Sequence, residues 1–202
     1  MPSIYDIKPQ FQGLLRPCVQ KLAKLGVTAN QITLLACVLS VGVGALLYRT
    51  PDSKKIFWLI PFLFFVRMAL NAIDGMLARE HNMKTPLGAI LNELTDVISD
   101  AALYLPFACV SGFSPPLIVI IVVLAVISEM TGVVAIQIGA SRRYEGPMGK
   151  SDRAFVFGVF ALLIALEVSY HSWMPYVLSS LIVLLGLTIF NRSRKALAEV
   201  KP

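Results

Sequence analysis

Six long apolar runs, separated by short polar turns, organise this chain. They lie at roughly 31 to 48, 56 to 78, 87 to 110, 115 to 138, 153 to 170 and 174 to 190. A helix rises about 1.5 Å per residue, so runs of about 18 to 25 residues suffice to cross ~30 Å of hydrocarbon. The pattern predicts an all-α, polytopic integral membrane protein with six transmembrane helices. Because the connections are short, neighbouring helices are expected to run antiparallel, and residues 1–202 to form a single domain with 31–190 as its core.

Ahead of the first run, Ile4, Ile7, Phe11, Leu14 and Leu15 recur at helical spacing on one face, with Lys8 and Arg16 elsewhere. This predicts an amphipathic juxtamembrane helix within the interfacial segment 1–26. Thr28 or Asn30 is placed to cap the first span, which ends before Arg49, Pro51 and Asp52. No cleavable secretory signal is visible, so the first span itself is expected to direct membrane entry. Residues 191–202 read as a polar tail.

Composition agrees with this plan: 56% of residues are hydrophobic and 15% charged, against about 25% charged in soluble domains. Cys18, Cys37 and Cys109 form no C-x-x-C spacing, which argues against a disulfide framework or a structural zinc site. The net charge of +6 has no basic face with interleaved aromatics, so nucleic acid is excluded as a partner.

Topology accounts for the excess. Lys8, Arg16, Lys21, Lys24, Arg79, Lys84, Arg142, Arg143, Lys150, Arg153, Arg192, Arg194, Lys195 and Lys201 fall on one side of the predicted membrane, and only Arg49, Lys54 and Lys55 on the other. The positive-inside pattern then places both termini in the cytoplasm, together with the 79–86 turn and the 141–153 loop.

Against this apolar background stands a ladder of polar residues. On the second span Asn71, Asp74, Gly75 and Ala78 share a face by i, i+3, i+4 and i+7 spacing. On the third, Gly88, Asn92, Asp96 and Asp100 recur every fourth residue, with Glu93 three positions before Asp96. Ionisable residues at membrane depth mark working sites. Carboxylates near the cytoplasmic interface supply the oxygen-rich surroundings that Mg²⁺ or Mn²⁺ requires, especially when substrate phosphates complete the shell. Gly75 and Ala78 leave room for a ligand beside Asp74, and Arg79 can meet phosphate oxygens with its guanidinium fork.

The run Asn71-x-x-Asp74-Gly75-x-x-Ala78-Arg79, eight further residues, then Gly88-x-x-x-Asn92-x-x-x-Asp96 resembles the signature of the CDP-alcohol phosphotransferases. Thr28-Ala29-Asn30-Gln31-Ile32-Thr33 is similar to that family's entry to its first span. The resemblance implies transfer of a phosphatidyl or other phosphoryl-linked group from a CDP-linked lipid donor, preferably CDP-diacylglycerol, to an alcohol or phosphorylated polyol, with CMP leaving. It implies Asp74 as a metal ligand and Asp96 as ligand or general base. Gly75, Ala78, Arg79 and Gly88 would hold the nucleotide diphosphate, and Lys150, Arg153 and Arg143 the acceptor or its phosphate. It implies a homodimer, and a bacterial inner membrane is the expected location for so compact a chain.

Asn71 and Asn92 stand where the family carries aspartates that bind metal, so two formal negative charges are lost. Asparagine still offers a carbonyl oxygen, but its attraction for a divalent cation is weaker. Glu93 and Asp100 are candidates to compensate. A second reading is therefore a CDP-lipid-binding or regulatory protein with weakened turnover; a third, an ion transporter, explains the acids but not the Gly75, Ala78 and Arg79 spacing. Structural roles compete at three positions, where Arg67 is expected to neutralise Asp100 or Glu129 as a buried ion pair.

Overall fold

The computed structural model describes residues 4–200, with side chains from Gln10 onwards. Lys201 and the side chains of Ile4, Ile7 and Lys8 lie outside the described residues. The chain is all-helical, with no strand among the described residues: α1 (Ile4–Lys24), α2 (Ala29–Arg49), α3 (Lys54–Glu80), α4 (Pro86–Tyr104), α5 (Pro115–Val134), α6 (Lys150–Ala165) and α7 (Met174–Glu199). Short 3₁₀ turns extend α4 through Leu105–Cys109 and α5 through Ala135–Ile138. Among the described residues, four segments are long and apolar enough to cross a membrane: α2, α3, α5 with its 3₁₀ extension, and α7.

The boundaries follow local chemistry. Thr28 and Gln31 cap α2 reciprocally: the Thr28 N–H donates to Gln31 Oε1 at 2.9 Å, and the Gln31 N–H to Thr28 Oγ1 at 3.3 Å. Asn30 is thereby released from capping. Asn82, at φ 56°, turns the chain out of α3, a left-handed conformation that asparagine tolerates. Pro106 lacks the N–H that would continue α4, and the helix tightens to 3₁₀ there. Two expectations about ends change. α6 stops at Ala165 instead of near 170, with Glu167 at φ 58° in the turn beyond it. Residues 191–199 continue α7 instead of forming a separate tail, because nothing from Asn191 to Glu199 breaks the helix.

The chain divides into two compact units. The first comprises Met1–Gly42 and Phe62–Ser99, the second Val43–Pro61 and Asp100–Pro202. In the first, Val19 of α1, Ala29 and Ile32 of α2, and Ile73, Met76 and Leu77 of α3 form the apolar core. Phe11 packs edge-on against Phe65 with centroids 6.2 Å apart. The predicted apolar face of α1 is split, since Leu15 packs inward while Leu14 remains exposed.

In the second unit, Phe107, Phe113, Phe157 and Phe160 form a linked aromatic cluster. Gly44 is required by close packing: a Cβ there would stand 2.0 Å from the Ala102 carbonyl oxygen, whereas Gly42 meets nothing within 4 Å. Lys54 pairs with Glu167.

Candidate functional site: a polar cavity in the first unit

Burial of Ile73, Met76 and Leu77 in the core of the first unit fixes the rotation of α3. Asp74, Gly75 and Ala78 consequently face a cavity of about 330 Å³, together with Arg79. The start of α2 contributes Ala29, Asn30 and Thr33, the connection contributes Met83, Lys84 and Thr85, and α4 contributes Gly88, Ala89 and Asn92. Such a volume falls in the range of small-molecule sites. Its opposite charges suit a ligand carrying both phosphate and a cation.

Asp74 is 6% exposed, and its Oδ2 accepts a 2.9 Å hydrogen bond from Thr33 Oγ1. The hydroxyl holds the carboxylate in one orientation. Arg79 folds back over Gly75: a Cβ at 75 would lie 3.2 Å from both terminal guanidinium nitrogens. Gly88 leaves similar room for Asn30, whose Oδ1 would be 2.8 Å from a Cβ at 88. Thr85 Oγ1 accepts from the Gly88 N–H at 2.9 Å and caps α4.

Six of the residues singled out from sequence, Asp74, Gly75, Ala78, Arg79, Gly88 and Asn92, thus share one cavity. Asn71, Glu93 and Asp96 belong to the same unit but are not among its lining residues. Asp96 follows Asn92 by one helical turn, on the same face. It is held by Arg67, whose Nη2 lies 3.6 Å from Asp96 Oδ1 and donates to the Asp96 carbonyl at 3.1 Å. Asp96, on the neighbouring helix of the same unit, is thus a partner of Arg67 that sequence depth did not single out.

Asp100 and Glu129 belong to the second unit and form buried ion pairs with Arg153. Lys150 opens α6, while Arg143 pairs with Glu145 and Glu199.

Sequence spacing passed over Thr33 as an individual site residue and took Asn30 only as a possible cap. The signal was present, since both fall within the 28–33 segment that carried the resemblance. What spacing could not show was that Thr28 does the capping and leaves Asn30 and Thr33 free to face α3 and α4.

The metal question turns on the donor set. No group of three acidic, His or Cys side chains is arranged to hold an ion among the described residues. The cavity instead offers one carboxylate, Asp74, with amide oxygens from Asn30 and Asn92. That set fits a hard cation such as Mg²⁺ or Mn²⁺ shared with substrate phosphates, because Mg²⁺ is commonly bound through one or two carboxylates plus phosphate oxygens.

An all-helical chain with membrane-length segments and a cavity joining a carboxylate to an arginine defines a membrane protein built for a phosphate-bearing ligand. Residues 26–191 match the CDP-alcohol phosphatidyltransferase family, and the chain belongs to it. It is 46% identical over 195 residues to the inner membrane protein YnbA of Escherichia coli, covering 96% of each chain. It is 36% identical over 104 residues to the phosphatidylinositol phosphate synthase of Corynebacterium glutamicum, covering 52% of this chain and 45% of that one. The fold is shared with the Mycobacterium tuberculosis phosphatidylinositol phosphate synthase crystallised with CDP-DAG bound, at a TM-score of 0.74 and 21% identity, covering 89% of this chain and 92% of that one. The same enzyme has also been crystallised with manganese and citrate.

Proposed function

We propose that this chain transfers the phosphatidyl group of CDP-diacylglycerol to the hydroxyl of an alcohol acceptor, releasing CMP. The observation that carries the reading is the convergence of Asp74, Gly75, Ala78, Arg79, Gly88 and Asn92 on one cavity. The arginine and the two glycine positions admit a diphosphate. Asp74, with Asn92 and Asn30, is placed to hold a divalent cation against it. When bound, that cation neutralises charge developing on the diphosphate.

The acceptor oxygen attacks the phosphatidyl phosphorus, the bond from that phosphorus to the bridging oxygen breaks, and CMP carries the electron pair away. Thr33 orients Asp74, and Arg79 meets the phosphate oxygens as charge accumulates there. Asp96 is the proposed base for the hydroxyl proton. The 141–153 loop, with Lys150, Arg143 and Arg153, is the proposed acceptor region.

The same reading places the chain in a bacterial inner membrane as a homodimer, with six crossings, α1 along the interface and both termini cytoplasmic. The 46% identical E. coli relative is itself named an inner membrane protein, and the Lys and Arg distribution supports the orientation.

The test is Mg²⁺- or Mn²⁺-dependent CMP release from CDP-diacylglycerol across a panel of alcohols. Release that disappears in Asp74→Ala and Asp96→Ala is expected. No release with any acceptor sinks the enzyme reading. A second reading has one observation in its favour: Asp74 is the only carboxylate lining the cavity among the described residues. Persistent CDP-lipid binding without turnover, lost in Arg79→Ala, would establish that binding function instead.

A further inference from the structure

The three arginines that made the 141–153 loop attractive as a phosphate site, Arg142, Arg143 and Arg153, all meet carboxylates of the second unit. Arg142 reaches Glu129 Oε2 at 3.2 Å, Arg153 reaches Glu129 Oε1 at 3.0 Å, and Arg192 of α7 reaches the same Oε1 at 3.4 Å. Arg153 also holds Asp100 at 2.9 Å. Arg143 pairs with Glu145 and Glu199, and Lys195 lies 3.7 Å from Glu145.

Three guanidinia from a loop and two helices thus close on a single side chain of α5. The side chains of Arg153 and Arg192 are 2% exposed, so neither can swing outward to follow a ligand. They are braced from behind: Arg192 Nη1 donates to the Ser128 carbonyl at 2.5 Å, and Arg153 Nη1 to the Met148 carbonyl at 3.3 Å. A bare carboxylate presents two oxygens to such a cluster much as an oxyanion ligand would.

We infer that Glu129 is the internal occupant of an oxyanion seat, and that its presence directs the chain towards an acceptor alcohol carrying no phosphate. The inference rests on the proposed role of the 141–153 loop in seating the acceptor. A phosphate group brings a charge of about −1.5 to −2 into a cluster whose arginines already have anionic partners. To bind there it must displace Glu129, leaving that carboxylate buried without its cations, which is strongly unfavourable. An uncharged polyol makes no such demand. Glu129 therefore sets specificity by occupying the position a ligand phosphate would take.

The probe is inorganic phosphate, read as thermal unfolding of the full chain in lipid nanodiscs, with Glu129→Ala and the milder Glu129→Gln as variants. Wild type should be unresponsive. The variants should gain about 3 °C or more once phosphate exceeds its Kd tenfold. In parallel, CMP release with glycerol 3-phosphate relative to glycerol should rise about tenfold or more in Glu129→Gln. Wild type stabilised by phosphate as strongly as the variants, or folded variants that ignore phosphate, would overturn the inference. Absence of CMP release from every protein would count against the enzyme reading alone, because the phosphate response still decides whether the seat exists.

Discussion

Replacing Thr33 with valine isolates the contact that orients Asp74. Valine keeps the branched shape and removes only the hydroxyl, which donates to Asp74 Oδ2 at 2.9 Å and also lies 3.1 Å from the Ala29 carbonyl. The residue is 7% exposed, so water does not readily take the hydroxyl's place. A hydrogen bond to a charged group is worth about 1.5 to 3 kcal/mol. At about 1.36 kcal/mol per decade, the expected loss is roughly 10- to 160-fold in kcat/KM for CDP-diacylglycerol. It should be accompanied by a higher half-saturating Mn²⁺ concentration. Thr33→Ser retains the hydroxyl and should keep most of the activity and of the melting temperature, while the same loss of about 1.5 to 3 kcal/mol lowers the melting temperature of Thr33→Val by roughly 3 to 12 °C. The assay is CMP release at varied Mn²⁺. Valine and serine variants that fall equally would show that Thr33 acts through packing, and an unaffected valine variant would show that Asp74 does not depend on the bond.

Asn92 lines the cavity and Asn71 does not, so Asn92→Asp should lower the half-saturating Mn²⁺ about tenfold while Asn71→Asp changes it less than about twofold; equal responses would refute the assignment. Gly44→Ala places a Cβ against the Ala102 carbonyl. Overpacking of about 1 to 3 kcal/mol predicts a melting temperature lower by roughly 2 to 12 °C for a chain of this size, and an unchanged one would mean the two helices are free to part. Burial opposes ionisation of Glu145, but backbone N–H groups of residues 144 and 145, Arg143 and Lys195 outweigh it, so its carboxyl titrates below the ordinary range. Its contribution is therefore complete above the ordinary value of about 4.3 and disappears as pH falls through the lower folded value. The melting difference between wild type and Glu145→Gln, present at pH 6, should narrow progressively as the pH is lowered below 4, and a constant difference would exclude this role.

Helix positions were legible where an apolar run ends at residues whose chemistry stops a helix. The turn after Arg49 shows this directly, whereas Pro106, inside the run read as 87 to 110, ends α4 at Tyr104. The cavity was legible for a related reason: positions 71, 74, 75 and 78 share one face whatever the tertiary structure, and so do 88, 92 and 96. Spacing along one helix does not say where a cavity ends, however. Asn71 and Asp74 look alike in sequence, yet only Asp74 reaches the lining, because the packing of Ile73, Met76 and Leu77 sets how far α3 is rotated.

Ion pairing between helices was the least legible feature. Arg67 could be assigned a depth but not a partner, since a shift of one turn exchanges Asp96 for Asp100. Within the first unit Arg67 meets Asp96, and within the second Arg153 meets Asp100. The 141–153 loop shows the same difficulty in another form. Topology demands cationic residues in a cytoplasmic loop, so their number alone is weak evidence for an anionic ligand. That evidence gains weight only after nearby carboxylates have been matched to the cations. In this chain Glu129, invisible as a loop residue because it lies on α5, meets three of the arginines at once. The acceptor preference inferred above thus depends on a residue outside both the signature and the loop, which only the fold brings to the arginines.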